Sequence, residues 1–373
     1  MQFIDLKKQQ DLIRKDIDRR IQKVLDHGKY ILGPEVKELE ALLADFVGVK
    51  HAIGVSNGTD ALLIALMALD VHPGDKIITS PFTFFATAEV IRNMGAIPVF
   101  VDIDERNYNI DPAKLEKLLS ESEAGEFAGI IPVDIFGQLA DYDSINKIAE
   151  KYNLWILEDA AQSFGASQNS KMSCSFGNVA TTSFFPAKPL GCYGDGGMVF
   201  TDDDRIAEKV LSIRVHGKGI DKYDNVRIGM NGRLDTIQAA VLLSKMQIFE
   251  EEIELRQQVV GRYNRLLEGI VKIPFVEENN ISAWAQYCIQ HKYRVEIISY
   301  LKEKNIPTAI YYPTPMHLLT AFKDLGYKKG DFPISEAVSE KIFSLPMYPY
   351  LEENEQKFIF ESIKEAIENC ISE

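Results

Sequence analysis

From residue 51 to about residue 205 the chain alternates two hydrophobic periods. Short apolar runs, HAIGVS, KIITSP, IPVFVDI, GIIPVDI, LWILEDA and MVFTD, read as strands. Between them ALLIALMAL, ATAEVIRNMG, PAKLEKLL and SINKIAEKY carry the spacing of amphipathic helices. Strands in strict alternation with helices predict an α/β fold with a mostly parallel sheet covered on both faces. Two helices precede this region. One runs to about residue 30 and stops at Gly28, and the second has Pro34 in its first turn and stops at Gly48. A single long helical pattern, LDTIQAAVLLSKMQIFEEEIELRQQVVGRYNRLL, leads out of the domain. The remainder alternates on a smaller scale through AQYCIQ, the helix VEIISYLKEKN, TAIYYP and a last helix EQKFIFESIKEAIENC. The predicted organisation is a large domain over residues 1–250 and a smaller α+β domain over residues 251–373.

Composition narrows the classes of function. The 373 residues carry a net charge of −14, which argues against non-specific binding to nucleic acid or an anionic membrane. The opening MQFIDLKKQQ lacks the apolar core of a signal peptide, and the most apolar run, Ala61 to Leu69, is too short to span a bilayer. Cys174, Cys192, Cys288 and Cys370 are scattered without metal-site spacing, so neither a disulfide framework nor a bound metal is expected. These features point to a reducing, cytoplasmic compartment.

Four segments carry candidate chemistry. In SNGTDALLIALMAL a strand turns through Asn57, Gly58 and Thr59 into a helix, whose free amides form either an anion site or an ordinary cap. In LWILEDAAQSFGA an apolar strand ends at Glu158 and Asp159, where open α/β sheets bind ligands. Asp159 is then either a helix cap or a carboxylate with a buried cationic partner. In TTSFFPAKPLGCYGDGGMVFTDD, Lys188 follows a strand and lies between Pro186 and Pro189, ahead of glycines 191, 194, 196 and 197. That setting is unusual for a solvated lysine. Finally, residues 214–233 hold Arg214, Lys218, Lys222, Arg227 and Arg233 against Asp221 and Asp224, either a solvated loop or one that recognises anions.

In this order, NGTDAL, PFTFFATAE, EDAAQSFGA, SFFPAKPLGCYGDGG and GMNGRLDTIQAA resemble the DegT/StrS-type nucleotide-sugar aminotransferases, enzymes of fold type I that use pyridoxal 5'-phosphate (PLP). The resemblance runs from FIDLKKQQ to SLPMYPYL. It is closest to enzymes that aminate UDP-2-acetamido-2-deoxy-3-oxo-glucuronate, which share DHGKYILGPEV and NGTDALLIALMAL. It implies a transaminase moving an amino group, with glutamate as donor, to a keto nucleotide sugar in the synthesis of surface polysaccharide such as lipopolysaccharide.

Roles follow by position. Lys188 carries the cofactor covalently and then moves protons, Asp159 pairs with the ring nitrogen, Phe84 stacks on the ring, and Gln162 lies against its face or ring oxygen. Thr59, Asp60 and Ser183 hold the phosphate, with Gly58 permitting the turn, and Asn231 reaches it from the other subunit of a homodimer with shared sites. Arg233, Tyr312 and His317 are candidates for substrate binding, Arg233 as a fork for a carboxylate. Two departures bear on the substrate: Asp134 stands where many relatives have histidine, and Tyr311 where some do. The alternatives are an aminotransferase for a 4-keto-6-deoxy or 3-keto-6-deoxy nucleotide sugar, and a PLP-binding regulator without turnover.

Overall fold

The computed structural model describes residues 1–221 and 223–372. Lys222 of the basic segment lies outside them. The first helices, α1 (Leu6–His27) and α2 (Pro34–Val47), end at Gly28 and Gly48, both left-handed. Seven strands then build one sheet: β1 (His51–Val55), β2 (Lys76–Thr79), β3 (Ile97–Phe100), β4 (Phe127–Ile131), β5 (Trp155–Asp159), β8 (Val179–Ser183) and β9 (Gly197–Thr201). Their spatial order is β1-β9-β8-β5-β4-β2-β3. All run parallel except β9, which is antiparallel to both β8 and β1. The connecting helices are α3 (Gly58–Ala68), α4 (Ala86–Asn93), α5 (Pro112–Ser120), α6 (Tyr142–Tyr152) and α7 (Asp204–Ile213). Between β5 and β8, the short β6 (Ser167–Gln168) and β7 (Lys171–Met172) form a small sheet with β10 (Asn280–Ile281).

Successive strand residues point to opposite faces. Ile53, Ile77, Ile131, Leu157, Val179 and Val199 pack with α3, α4 and α7. Their neighbours Ala52, Ile78, Ile130, Ile156, Ala180 and Phe200 pack on the other face, which α2, α5, α6 and α8 (Thr236–Met246) cover. A sheet buried on both faces explains why the strands read as continuous apolar runs.

The long helical pattern after residue 233 is two helices rather than one. After α8 the chain breaks at Ile248, whose φ of −119° and ψ of 2° leave the helical range, and α9 (Phe249–Leu267) resumes in a new direction. Phe249 and Ile253 pack into the large core, whereas Val259, Tyr263 and Leu267 belong to a second one. That second core gathers β11 (Tyr287–Gln290), α10 (Arg294–Glu303), β12 (Ile342–Leu345) and α12 (Glu353–Ser372). The antiparallel partner of β11 is β12, which follows α11 (Pro333–Lys341). TAIYYP contributes only one bridge, Ala309 to Ser344. No helix among the described residues is long and apolar enough to cross a membrane.

Candidate active site

The carboxyl ends of β1, β5 and β8 and the start of β9 meet at one edge of the sheet. Gly197 lies so close to Asn57 that a Cβ would stand 2.5 Å from its carbonyl carbon. At Gly58 a Cβ would stand 2.6 Å from Ser183 Cβ. Only glycine lets these strand ends approach so closely.

Asp159 ends β5 with its side chain 4% exposed. Its Oδ2 accepts a 2.8 Å hydrogen bond from Thr87 Oγ1, and Oδ1 a longer one of 3.3 Å from the Ala161 amide. Burial raises its pKa, opposed by Thr87, by the Ala161 amide and by the charge of Lys188. Lys188 sits in the 184–196 connection that leaves β8 and folds back into β9. Its amide donates to Phe185 O at 2.9 Å. Burial pushes the Lys188 amine down to about 8, and the charge of Asp159 resists. An amine on a partly buried residue and a buried carboxylate are each pressed toward the neutral form and each held back by the other.

At the phosphate end predicted from sequence, Asn57 caps α3 by accepting from the Asp60 amide at 2.8 Å. The first amides of α3 have no acceptor within the helix. Ser183 Oγ accepts from the Phe185 amide at 3.2 Å, which leaves its own proton to donate. Thr59 occupies the same helix end. Asp60 differs from the expectation of a phosphate donor. Its Oδ2 accepts from Ser56 Oγ and from Asn57 Nδ2, and a carboxylate can only accept, so its side chain braces the turn.

Across the cleft, Gln162 Nε2 lies 3.4 Å from the Tyr312 hydroxyl, while Gln162 Oε1 is buried without a partner. Burial raises the Tyr312 phenol. Phe84 is 57% exposed, with its ring 6.5 Å from that of Tyr312. Tyr311 and Tyr312 both pack at the edge of a cluster that includes Phe82, Val133 and Cys288. The segment around residue 312 therefore packs beside Gln162 and Phe84.

Other predicted residues lie elsewhere. His317 is 1% exposed, pairs with Glu336 Oε1 at 3.0 Å and meets the Phe332 ring edge-on, so it has no face open to the cleft. Its Nδ1 is buried without a partner. Arg214 is buried, ion-paired with Glu40 and donating to Gly54 O at 2.7 Å. Arg227 pairs with Glu208. Arg214 is thus spent inside the fold and Arg227 in a surface ion pair, which leaves Lys218 exposed and Arg233 half-buried among the described residues. Arg233 donates to Asn231 Oδ1, and its Nε is buried without a partner. A bridge between Val55 and Arg233 holds this segment beside the end of β1.

Thr87 escaped the sequence reading, as did the contact between Asp134 and Glu158, each of which it named singly. Thr87 lies within PFTFFATAE, but only the fold brings its hydroxyl to Asp159. Behind Asp159, Asp134 accepts from the Ala140 amide, the Tyr142 hydroxyl and Ser163 Oγ, and Glu158 accepts from the amides of Cys174 and Phe176. Burial raises both acids; Asp134 raises Glu158 further, while the hydrogen bond shared with Glu158 holds Asp134 back.

The residues fit PLP. Asp159 is a buried carboxylate to which no cation donates among the described residues, Gln162 has an orphaned oxygen, and the helix end offers donors for a phosphate. No cluster of metal-ligating residues is present among the described residues.

Comparisons with known proteins agree with this geometry. The sequence model of the DegT/DnrJ/EryC1/StrS aminotransferase family matches residues 11–364. The chain is 51% identical to a UDP-2-acetamido-2-deoxy-3-oxo-D-glucuronate aminotransferase of Pseudomonas aeruginosa, over 96% of this chain and 98% of that one. It is 44% identical to a pleiotropic regulatory protein of Geobacillus stearothermophilus, over 97% of each. A crystal structure of a DegT DnrJ EryC1 StrS aminotransferase from Brucella abortus superposes with a TM-score of 0.94 at 48% identity, over 98% of this chain and 99% of that one.

Proposed function

The chain belongs to the DegT/DnrJ/EryC1/StrS aminotransferase family and is a PLP-dependent aminotransferase of keto sugars, and on that premise we propose that its acceptor is UDP-2-acetamido-2-deoxy-3-oxo-glucuronate and its amino donor glutamate. The observation that supports the site assignment is the placing of Lys188 and Asp159 at the carboxyl edge of the sheet, near enough for each charge to act on the other without an ion pair between them. The cofactor supplies an electron sink for the carbanion formed when a proton leaves the carbon bearing nitrogen.

In this reading the chain's own residues do the rest. Asp159 holds the ring nitrogen protonated and fixes the ring's orientation. The first amides of α3, Thr59 and Ser183 hold the phosphate, and Gln162 and Phe84 flank the ring. Lys188, with its pKa near 8, can both accept and return a proton near neutral pH. It takes the proton from Cα of the amino donor. In the second half it serves the sugar carbon that receives nitrogen. Donor and acceptor enter in turn, so the kinetics are ping-pong.

Arg233 is the reading's anchor for the sugar carboxylate, since its Nε is buried and unpartnered. Tyr312 adds a neutral hydroxyl. The functional unit in this reading is a homodimer in which Asn231 completes the partner's phosphate site. An exposed apolar loop supports it: Ile220, Val226 and Ile228 stand in solvent on the connection before Asn231. The place of action is the cytoplasm, with the product destined for surface polysaccharide. The regulatory name of the Geobacillus relative is said of that protein; here a lysine and an acid placed for proton transfer favour turnover.

The test supplies glutamate with UDP-2-acetamido-2-deoxy-3-oxo-glucuronate, or with a 4-keto-6-deoxy nucleotide sugar, and reads the aminated product by mass. The uronate should turn over faster. Faster turnover of the neutral sugar contradicts the assignment. Arg233→Leu should cost about 2–4 kcal/mol in kcat/KM for the uronate, as for a truncated buried charge pair.

A further inference from the structure

Asp159 is held by a short chain of hydroxyls that the reaction as described leaves unused. Thr87 stands in the first turn of α4, 1% exposed, and Thr83 four residues before it is 4% exposed. A threonine so placed in a helix commonly turns its hydroxyl back to the carbonyl four residues earlier. Thr87 instead reaches across to β5 and donates to Asp159 Oδ2 at 2.8 Å. A hydroxyl has one proton. With that proton given to Asp159, the contact of 3.3 Å between Thr83 Oγ1 and Thr87 Oγ1 runs one way, Thr83 donating and Thr87 accepting. Both dipoles then point toward the carboxylate, and each strengthens the other.

We propose that Thr87, with Thr83 behind it, is a positioning residue that keeps Asp159 ionised and in one rotamer, so that the carboxylate faces the ring nitrogen of the cofactor. The proposal rests on the reading of Asp159 as that nitrogen's partner. The physical need is plain. A carboxylate buried this deeply is driven toward the neutral acid. The hydroxyl of Thr87 is the largest opposing influence, ahead of the Ala161 amide and Lys188. It also ties down one oxygen, Oδ2, and so limits how the carboxylate can turn. The Ala161 contact, at 3.3 Å, is too long to fix the rotamer alone.

The test loads the enzyme with pyridoxamine phosphate carrying 15N in the ring and follows that nitrogen's chemical shift with pH. This form needs no covalent link to Lys188. Wild type should keep the protonated shift to high pH. Thr87→Val, which keeps the shape and loses the donor, should deprotonate about one pH unit lower, the scale of one hydrogen bond to a charged acceptor. Thr87→Ser should restore the wild-type curve, and Thr83→Val should fall between. Asp159→Asn should show the neutral shift throughout. A Thr87→Val curve that overlays wild type, while Asp159→Asn loses the proton, overturns the proposal and spares the reading of Asp159. So does a Thr87→Ser protein that melts normally yet titrates like Thr87→Val. A protonated ring in Asp159→Asn instead removes the reading of Asp159 on which the proposal stands.

Discussion

Asp159 and Lys188 are each made unstable as ions by the place they occupy, and that mutual arrangement is what the site uses. Replacing Asp159 by Asn keeps the shape and a hydrogen-bonding group but removes the charge. Loss of one partner of a buried pair costs roughly 3–5 kcal/mol. Turnover of Asp159→Asn should therefore fall by about two to four orders of magnitude, while cofactor content, read by absorbance, falls much less; near-normal turnover would contradict the role. Lys188 and Asp159 could be picked out from sequence because their settings are local: one lies between prolines after a strand, the other at a strand's end. Thr87 could not, because its significance is a contact between α4 and β5 with no sequence spacing to mark it. The burial of His317 was not legible for a related reason. Its nearness in sequence to Tyr312 says nothing about direction, and its ring turns inward to Glu336 and Phe332.

At the scale of elements, the strand and helix periods placed most of residues 1–250, since the main strands are buried on both faces and most helices on one. The break between α8 and α9 was not legible. No glycine or proline marks residues 246–249, and the apolar period continues across the break because α8 and the start of α9 face the same core, the second core taking over only from Val259. Nor did any pattern show that Asp134 and Glu158, each named from sequence, are buried against one another. Asp134 is pushed up to about 7, first by burial, and Glu158 is raised with it. In the unfolded chain both would lose their protons near pH 4. The folded protein thus holds protons that the unfolded chain has released, and stability falls as pH rises from about 4 to about 7. Asp134→Asn keeps an oxygen for the Ala140 amide and Tyr142 and offers an amide to Ser163. Its melting temperature should therefore change less between pH 5 and pH 8 than that of wild type. An unchanged pH dependence would mean that this pair does not carry the proton.

For the whole molecule, a net charge of −14 coexists with a locally exposed apolar loop, and Ile228 is 86% exposed. A second copy of the chain covering that loop would bring Asn231 toward the neighbouring site. Mixing Lys188→Ala with Asn231→Asp under conditions of proven subunit exchange tests the sharing. Each mixed dimer then has one intact site, so activity should recover to about a quarter of wild type for random pairing. If Asn231 serves its own subunit, no site is intact and nothing recovers. The account as a whole turns on one atom, the amine of Lys188, and the most direct measurement is borohydride reduction of the PLP-loaded enzyme followed by peptide mapping. The pyridoxyl group should be found on the peptide containing Lys188 and on no other. A label on a different lysine, or none after reduction of fully loaded protein, would contradict the account.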